Sequence, residues 1–148
     1  MPLWPKKNSR PGVDEYGRAP LWYLAANGDL DAAVRAIAAG ADPLLGDDAG
    51  YTPLHVAAQN GHISMIDYLL RVGADPNAVD KHGNGPLWVI SMRPQLAMPT
   101  RLEIIQLLLS AGANPNHENL HGRSPRQMAR TIANGLEDPF LEHERGAV

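Results

Sequence analysis

The feature that most restricts this chain is a spacing. Gly, any two residues and then Pro recurs as Gly17/Pro20, Gly50/Pro53, Gly83/Pro86 and Gly122/Pro125, so the prolines step by 33, 33 and 39 residues. A second marker, Gly-Ala-(Asp or Asn)-Pro, begins at Gly40, Gly73 and Gly112 and steps by 33 and then 39. Two independent markers in one register imply an array of similar units, each able to hide its apolar side only against its neighbours. The excess in the last step must enter between Leu87 and Gly112, where SMRPQLAMPT carries two prolines and no helical period. An enlarged loop over residues 92–99 is expected there.

The chemistry of one unit follows from its punctuation. Proline is tolerated in the first turn of a helix, where its missing N–H has no acceptor to lose, and Thr52 or Ser124 just before it can accept from orphan amides. LHVAAQN after Pro53 therefore reads as a short helix, stopped at Gly61, where freedom at positive φ suits a reversal. HISMIDYLLRVG reads as a second helix with Ile63, Ile66, Leu69 and Leu70 on one apolar face, closed by Gly73. The equivalents are Leu30, Ala33, Ala36 and Ile37 in the first unit and Leu102, Ile105, Leu108 and Leu109 in the third. Helices this short do not persist alone in water, so stacking supplies the burial. Ala57 and Ala58 let neighbouring helices approach closely, and GADPNAVDKHGNGP between units has the chemistry of turns and projecting hairpins.

Composition narrows the function classes. The chain has 148 residues, 44% of them hydrophobic, enough for one modest core. Its 13 basic and 16 acidic residues are interspersed and give a net charge of -3, so sequence-independent attraction to nucleic acid or an anionic membrane is not expected. With no cysteine there is neither a disulfide framework nor a thiolate site. MPLWPKKNSRPG lacks the apolar stretch of a secretory signal, and no window reaches the roughly 18 apolar residues of a membrane span. The expected location is the cytoplasm.

The second unit, DDAGYTPLHVAAQNGHISMIDYLLRVGADPN, resembles the ankyrin repeat, and the resemblance extends over about residues 14 to 134. It implies an all-α solenoid of three full helix-turn-helix units, near 14–46, 47–79 and 80–118, with β-hairpin-like loops between them. A capping unit would follow over 119–134, with residues 1–13 as an N-terminal cap segment and 135–148 as a tail or capping helix. Trp22 and Trp88 replace His55 of the Thr-Pro-Leu-His turn, and Arg126-Gln127 replaces Leu-His in the fourth unit. Arg126, Gln127 and Arg130 are expected on a polar outer face, because nothing stacks beyond a terminal unit. Leu3, Trp4 and Val13 are expected to pack over the thin alanine-rich face of DLDAAVRAIAAG. A shortened second helix is expected near Pro139 and Phe140.

Catalytic and metal chemistry find little support. His117 and His121 are four apart but fall in a hairpin, where that spacing does not put both on one face. The resemblance makes His55 a structural histidine bonding the neighbouring turn. Asp47, Asp48, Asp75 and Asp80 suit turns better than acid–base work. No nucleophile elbow, phosphate-binding glycine loop or metalloprotease helix is present, so no enzyme, cofactor or metal is expected.

What remains is a binding surface. In the family, hairpin tips and first helices form a concave face that takes folded proteins. Carried onto this chain, the contact positions are Glu15, Tyr16 and Arg18; Asp48, Ala49 and Tyr51; Lys81, His82 and Asn84; and Leu120, His121 and Arg123. The ends of the first helices add Ala26 and Asn27, Gln59 and Asn60, and Met92 and Arg93. The enlarged loop brings Gln95, with Met92, Leu96 and Met98 as adaptable apolar contacts. Tyr51, Arg93 and Arg123 are of the types that dominate interface energetics.

A narrower likeness concerns PLW at 20–22 and 86–88, the extended third unit, Ser124, Pro125, Ala129 and TIAN at 131–134. These resemble bacterial ankyrin-repeat immunity proteins encoded beside secreted toxins. That implies tight binding of one toxin domain and occlusion of its active site or substrate approach, by a chain that is monomeric when free. Two other readings stay open: an intracellular scaffold or substrate adaptor, and a nucleotide or nucleic-acid binder stacking on Trp22 and Trp88.

Overall fold

A computed structural model describes residues 10–132 and Phe140. Its elements are α1 (Pro20–Asn27), α2 (Leu30–Ala38), α3 (Pro53–Asn60), α4 (Ile63–Arg71), α5 (Pro86–Ser91), α6 (Met98–Ser110) and α7 (Pro125–Ile132). Among the described residues there is no strand, and the chain is an all-α solenoid of successive helical pairs. The punctuation works as its chemistry requires. Each of the four repeat prolines is the first residue of α1, α3, α5 or α7. Gly28 and Gly61 end α1 and α3 at φ 70° and 76°, where a side chain would be strained.

The odd-numbered helices form one row, α1 on α3, α3 on α5 and α5 on α7, while α4 packs on α6 in the row behind. Ala57 and Ala58 are wholly buried, as close packing of the first row demands. Burial is deepest at the centre. Every residue of α3 from Pro53 to Ala58 is buried, whereas α2 buries only Ala33, so the alanine-rich face of the first unit is as thin as its sequence suggested. Met65 and Ile104 join Ile66, Leu69, Ile105 and Leu108 in the core, although they lie beside the apolar stripe the periodicity picks out. A helix with neighbours on two sides needs a wider stripe than one lying on a single surface.

Two expectations change. The enlarged loop is shorter than residues 92–99, because Met98 and Pro99 open α6, which runs 13 residues against nine in α4. Proline is again tolerated in a first turn, so its presence did not exclude helix. The inserted residues thus divide between a loop and an extra turn of helix. Arg126 is also not on a polar outer face: it is buried and donates from Nη2 to the Phe140 carbonyl at 3.3 Å. Its aliphatic stem serves as packing while the charged head finds a carbonyl. Gln127 and Arg130 are exposed. Phe140 is helical and wholly buried. Leu3, Trp4, Ala133, Asn134, Pro139 and the rest of the expected terminal segments lie outside the described residues. At the described end of the N-terminal segment Val13 is half-buried, and Arg10 meets the hairpin side, with Nη2 at 3.4 Å from both the Gly17 and Gly46 carbonyls.

Candidate functional site

Each hairpin is built by one acidic or amide side chain. Asp14 Oδ1 accepts from the amides of Tyr16 and Arg18, Asp47 Oδ1 from Ala49 and Tyr51, Asp80 Oδ1 from His82 and Asn84, and Asn119 Oδ1 from His121 and Arg123. All eight bonds lie between 2.8 and 3.1 Å. These carboxylates are turn formers whose first oxygen is already committed. Successive tips are tied by one backbone bond each: Asp48 N to Tyr16 O at 2.9 Å, Lys81 N to Ala49 O at 2.8 Å, and Leu120 N to His82 O at 2.9 Å. The row of tips is therefore fixed before any partner arrives, which lowers the ordering cost of docking.

The candidate contacts fall into three groups. At the first tips, Tyr16, Arg18, Asp48 and Lys81 line one cleft together with Glu15 and Asp47. The Arg18 guanidinium lies 4.9 Å from the Tyr16 ring and 4.2 Å from the Trp22 ring, and its Nε is 3.8 Å from Asp47 Oδ2. Asp48 is 3.6 Å from Arg10. Arg10 and Arg18 thus each face a carboxylate within the chain. Tyr23, which the motifs did not single out, donates its hydroxyl to Asp14 and holds that carboxyl below its ordinary range. An aromatic residue on the solvent side of a first helix was the only sequence signal for it.

At the centre, Tyr51 donates to Gln59 Oε1 at 2.7 Å and also bonds Arg93, so three expected contact residues from a hairpin, a helix end and the loop meet in one polar cluster. Burial, acting against the charge of Arg93, pushes the Tyr51 phenol up to about 12, so it is neutral and able to donate across the working pH range. Met92 and Arg93 are half-buried and Gln95 is exposed. Leu96 is half-buried and packs against the core, over Gly61. Asn60 is also engaged, its Nδ2 donating to Ala26 O at 2.8 Å.

At the last tips, His121 and Arg123 line a cleft with Trp88 and Asn119. His82 is exposed and Leu120 is 75% exposed, the most open large apolar side chain among the described residues. Asn84 Oδ1 accepts from Asn119 Nδ2 at 2.9 Å.

The two tryptophans, alike in sequence, differ in place. Trp22 donates from Nε1 to Tyr51 O at 3.0 Å, the position equivalent to Asn84 O, which His55 bonds through Nε2 at 3.0 Å. An indole thus performs the bridging task of the imidazole. His55 Nδ1 meanwhile faces Thr52 N at 3.1 Å and Oγ1 at 2.7 Å, so the ring is the Nε2–H tautomer and neutral. Trp88 makes no corresponding bond among the described residues. His117, rather than pairing with His121 around a metal, has its Nε2 3.0 Å from Gly83 O. Among the described residues no three potential metal ligands lie together, and no helix is long and apolar enough to cross a membrane.

A family model described as ankyrin repeats (3 copies) matches residues 5–80 and 21–119. No curated protein matches the chain.

Proposed function

The chain belongs to the ankyrin-repeat family, whose arrays are protein-binding modules, and from that premise we propose that it is a non-catalytic inhibitor, an immunity protein that seats a cognate toxin on its concave face. The observation that carries the binding surface is the row of pinned tips. Tyr16, Tyr51, His82, Leu120, His121 and Arg123 project from backbone fixed by side-chain and inter-tip hydrogen bonds. A rigid row of aromatic, apolar and cationic side chains matches the core composition of protein interfaces. Inhibition by occlusion needs no reactive group, only a fixed shape. The sequence likeness in PLW, the lengthened third unit and the fourth-unit helix is what favours a toxin over a cellular target. Use of both tryptophans for nucleotide stacking is disfavoured, because the Trp22 N–H and one ring face are already occupied.

The test is capture from the native source, comparing the wild type with a variant carrying Tyr51→Ala, Arg93→Ala and Arg123→Ala. A partner should bind the wild type, and the variant should lose roughly a hundredfold or more in affinity with helical circular dichroism unchanged. Tyr51→Phe in place of Tyr51→Ala controls for the ring that lies on His55. Undiminished affinity would place the partner on another face. Co-expression then separates the finer readings: an immunity protein restores growth to cells making the captured partner, whereas an adaptor's partner is harmless alone.

A further inference from the structure

We infer that the cleft between the third and fourth hairpins is the specificity pocket of the binding face, and that it takes an aromatic side chain flanked by carboxylates from an acidic segment of the protein partner. The inference rests on the protein-binding reading and asks which part of the surface recognises what.

The repeat itself exposes the pocket. The residue four positions before each turn aromatic acts as its cover: Arg18 lies 4.2 Å over Trp22, and the Tyr51 ring centre is 4.8 Å from that of His55. In the third unit the covering position holds Asn84, whose side chain is short and is bonded to Asn119. Trp88 therefore has no cation or ring over it, and its indole N–H has no partner among the described residues. The ring stands half-buried at the junction of an open cleft, shared with Asn119, His121 and Arg123, and a narrow apolar slot containing Val79, Leu87 and Pro125. A bare indole face with a free donor at its edge and an apolar floor suits a flat side chain.

Charge selects the partner class. Arg123 has no ion pair among the described residues, while Arg10 and Arg18 at the other end of the row face Asp48 and Asp47. Residues 117–132 carry Arg123, Arg126 and Arg130 against the single carboxylate of Glu118. The last hairpin is thus a local cationic end on a chain of net charge -3. A nucleic acid long enough to follow the row would meet Glu15, Asp47 and Asp48, whereas an acidic protein segment can confine its charge to one end.

The indole N–H signals of 15N-labelled full-length protein, assigned by single Trp→Phe substitutions, provide the readout. The probes are acetyl-Glu-Asp-Tyr-Asp-Glu amide, the same peptide with lysine at its four acidic positions, and hexathymidylate. The acidic peptide should shift the Trp88 signal at millimolar concentration and leave Trp22 still. Arg123→Glu should weaken it by about tenfold or more, and Asn84→Tyr, which restores a ring at the covering position, should block it. A Trp88 signal unmoved by the acidic peptide overturns the inference, as does an equal response to the lysine peptide. Tighter binding of the oligonucleotide would put the nucleic-acid reading in its place. If Asn84→Tyr does not fold, Arg123→Glu decides alone. A native partner that ignores Trp88→Ala but is lost with Tyr51→Ala and Arg93→Ala would sink this pocket and leave the protein-binding reading standing.

Discussion

The second and third units start from equivalent stretches, YTPLHVAAQNG at 51–61 and NGPLWVISMRP at 84–94, which share Pro, Leu and Val in register, and come to different ends. In the second, Thr52 Oγ1 accepts from the His55 amide while His55 Nδ1 accepts from the Thr52 amide, and α3 runs eight residues into a glycine stop. In the third, Gly85 supplies no side-chain cap and α5 ends after six residues. The C-terminal end of α5 is held by side chains instead. Ser91 Oγ donates to Leu87 O at 2.7 Å, and the buried Arg101 of α6 donates to Ser91 O at 3.0 Å. The end of α5 is thus tied to the next helix, while its start goes without a side-chain cap. The same substitutions, His to Trp and a bulky cover to Asn84, leave an aromatic face open. The regular unit buries its turn aromatic and the irregular one leaves its own partly uncovered.

The comparison can be broken most easily in the core. Leu54→Ala, at a wholly buried site flanked by helices on both sides, should cost about 3–5 kcal/mol in urea unfolding. Leu87→Ala borders the open slot and should cost about 2–3 kcal/mol, because water or side-chain movement can fill what is lost. Equal losses would mean that the third unit is packed as tightly as the second.

Next in size is His55→Ala, which strands the Thr52 amide and the Asn84 carbonyl and should cost about 2–3 kcal/mol. It also carries a pH signature. Burial holds the imidazole below its ordinary 6.5, so the unfolded chain binds a proton that the fold excludes. Stability from His55 is complete above pH 6.5 and declines as pH falls below that value. Urea midpoints measured from neutral to acid pH should show a decline that is shallower in His55→Ala. An identical slope in both proteins would refute the assignment.

Leu96→Ala tests whether the loop is anchored on the second unit, and should lose about 1–2 kcal/mol with faster amide exchange over 92–97. Smallest is a gain: Gly85 sits at φ -93° and ψ 173°, open to any residue. Gly85→Thr would restore the cap and should stabilise by about 0.5–1 kcal/mol, read as a rise in the urea midpoint.

Legibility in the sequence followed the range of the interactions. The helical pairs and hairpins were legible because their signals are local: proline at first turns, glycine at reversals, Asp or Asn opening each hairpin. The roles of Asp47 and Asp80 as turn formers came through for the same reason, whereas that of His55 as a bridge came from the family resemblance. Arg126 was misread because a charged residue in a terminal unit looks solvated until the Phe140 carbonyl is brought to it. Leu96 offered the same ambiguity, a leucine in a proline-bounded loop that serves either a partner or the core. Of the candidate contacts, the meeting of Tyr51, Gln59 and Arg93 was unreadable, since 42 residues separate the first from the last.

By itself, then, the sequence determined the period, the element types and the all-α stack, because a recurring 33-residue unit leaves each short helix nothing to bury against except its neighbour. Only the tertiary structure decided which of two like tryptophans is used up and which is left open. That choice depends on what the adjacent hairpin places over the ring and on whether a carbonyl lies within reach of the indole nitrogen. Those are distances between units, and a repeat pattern does not encode them.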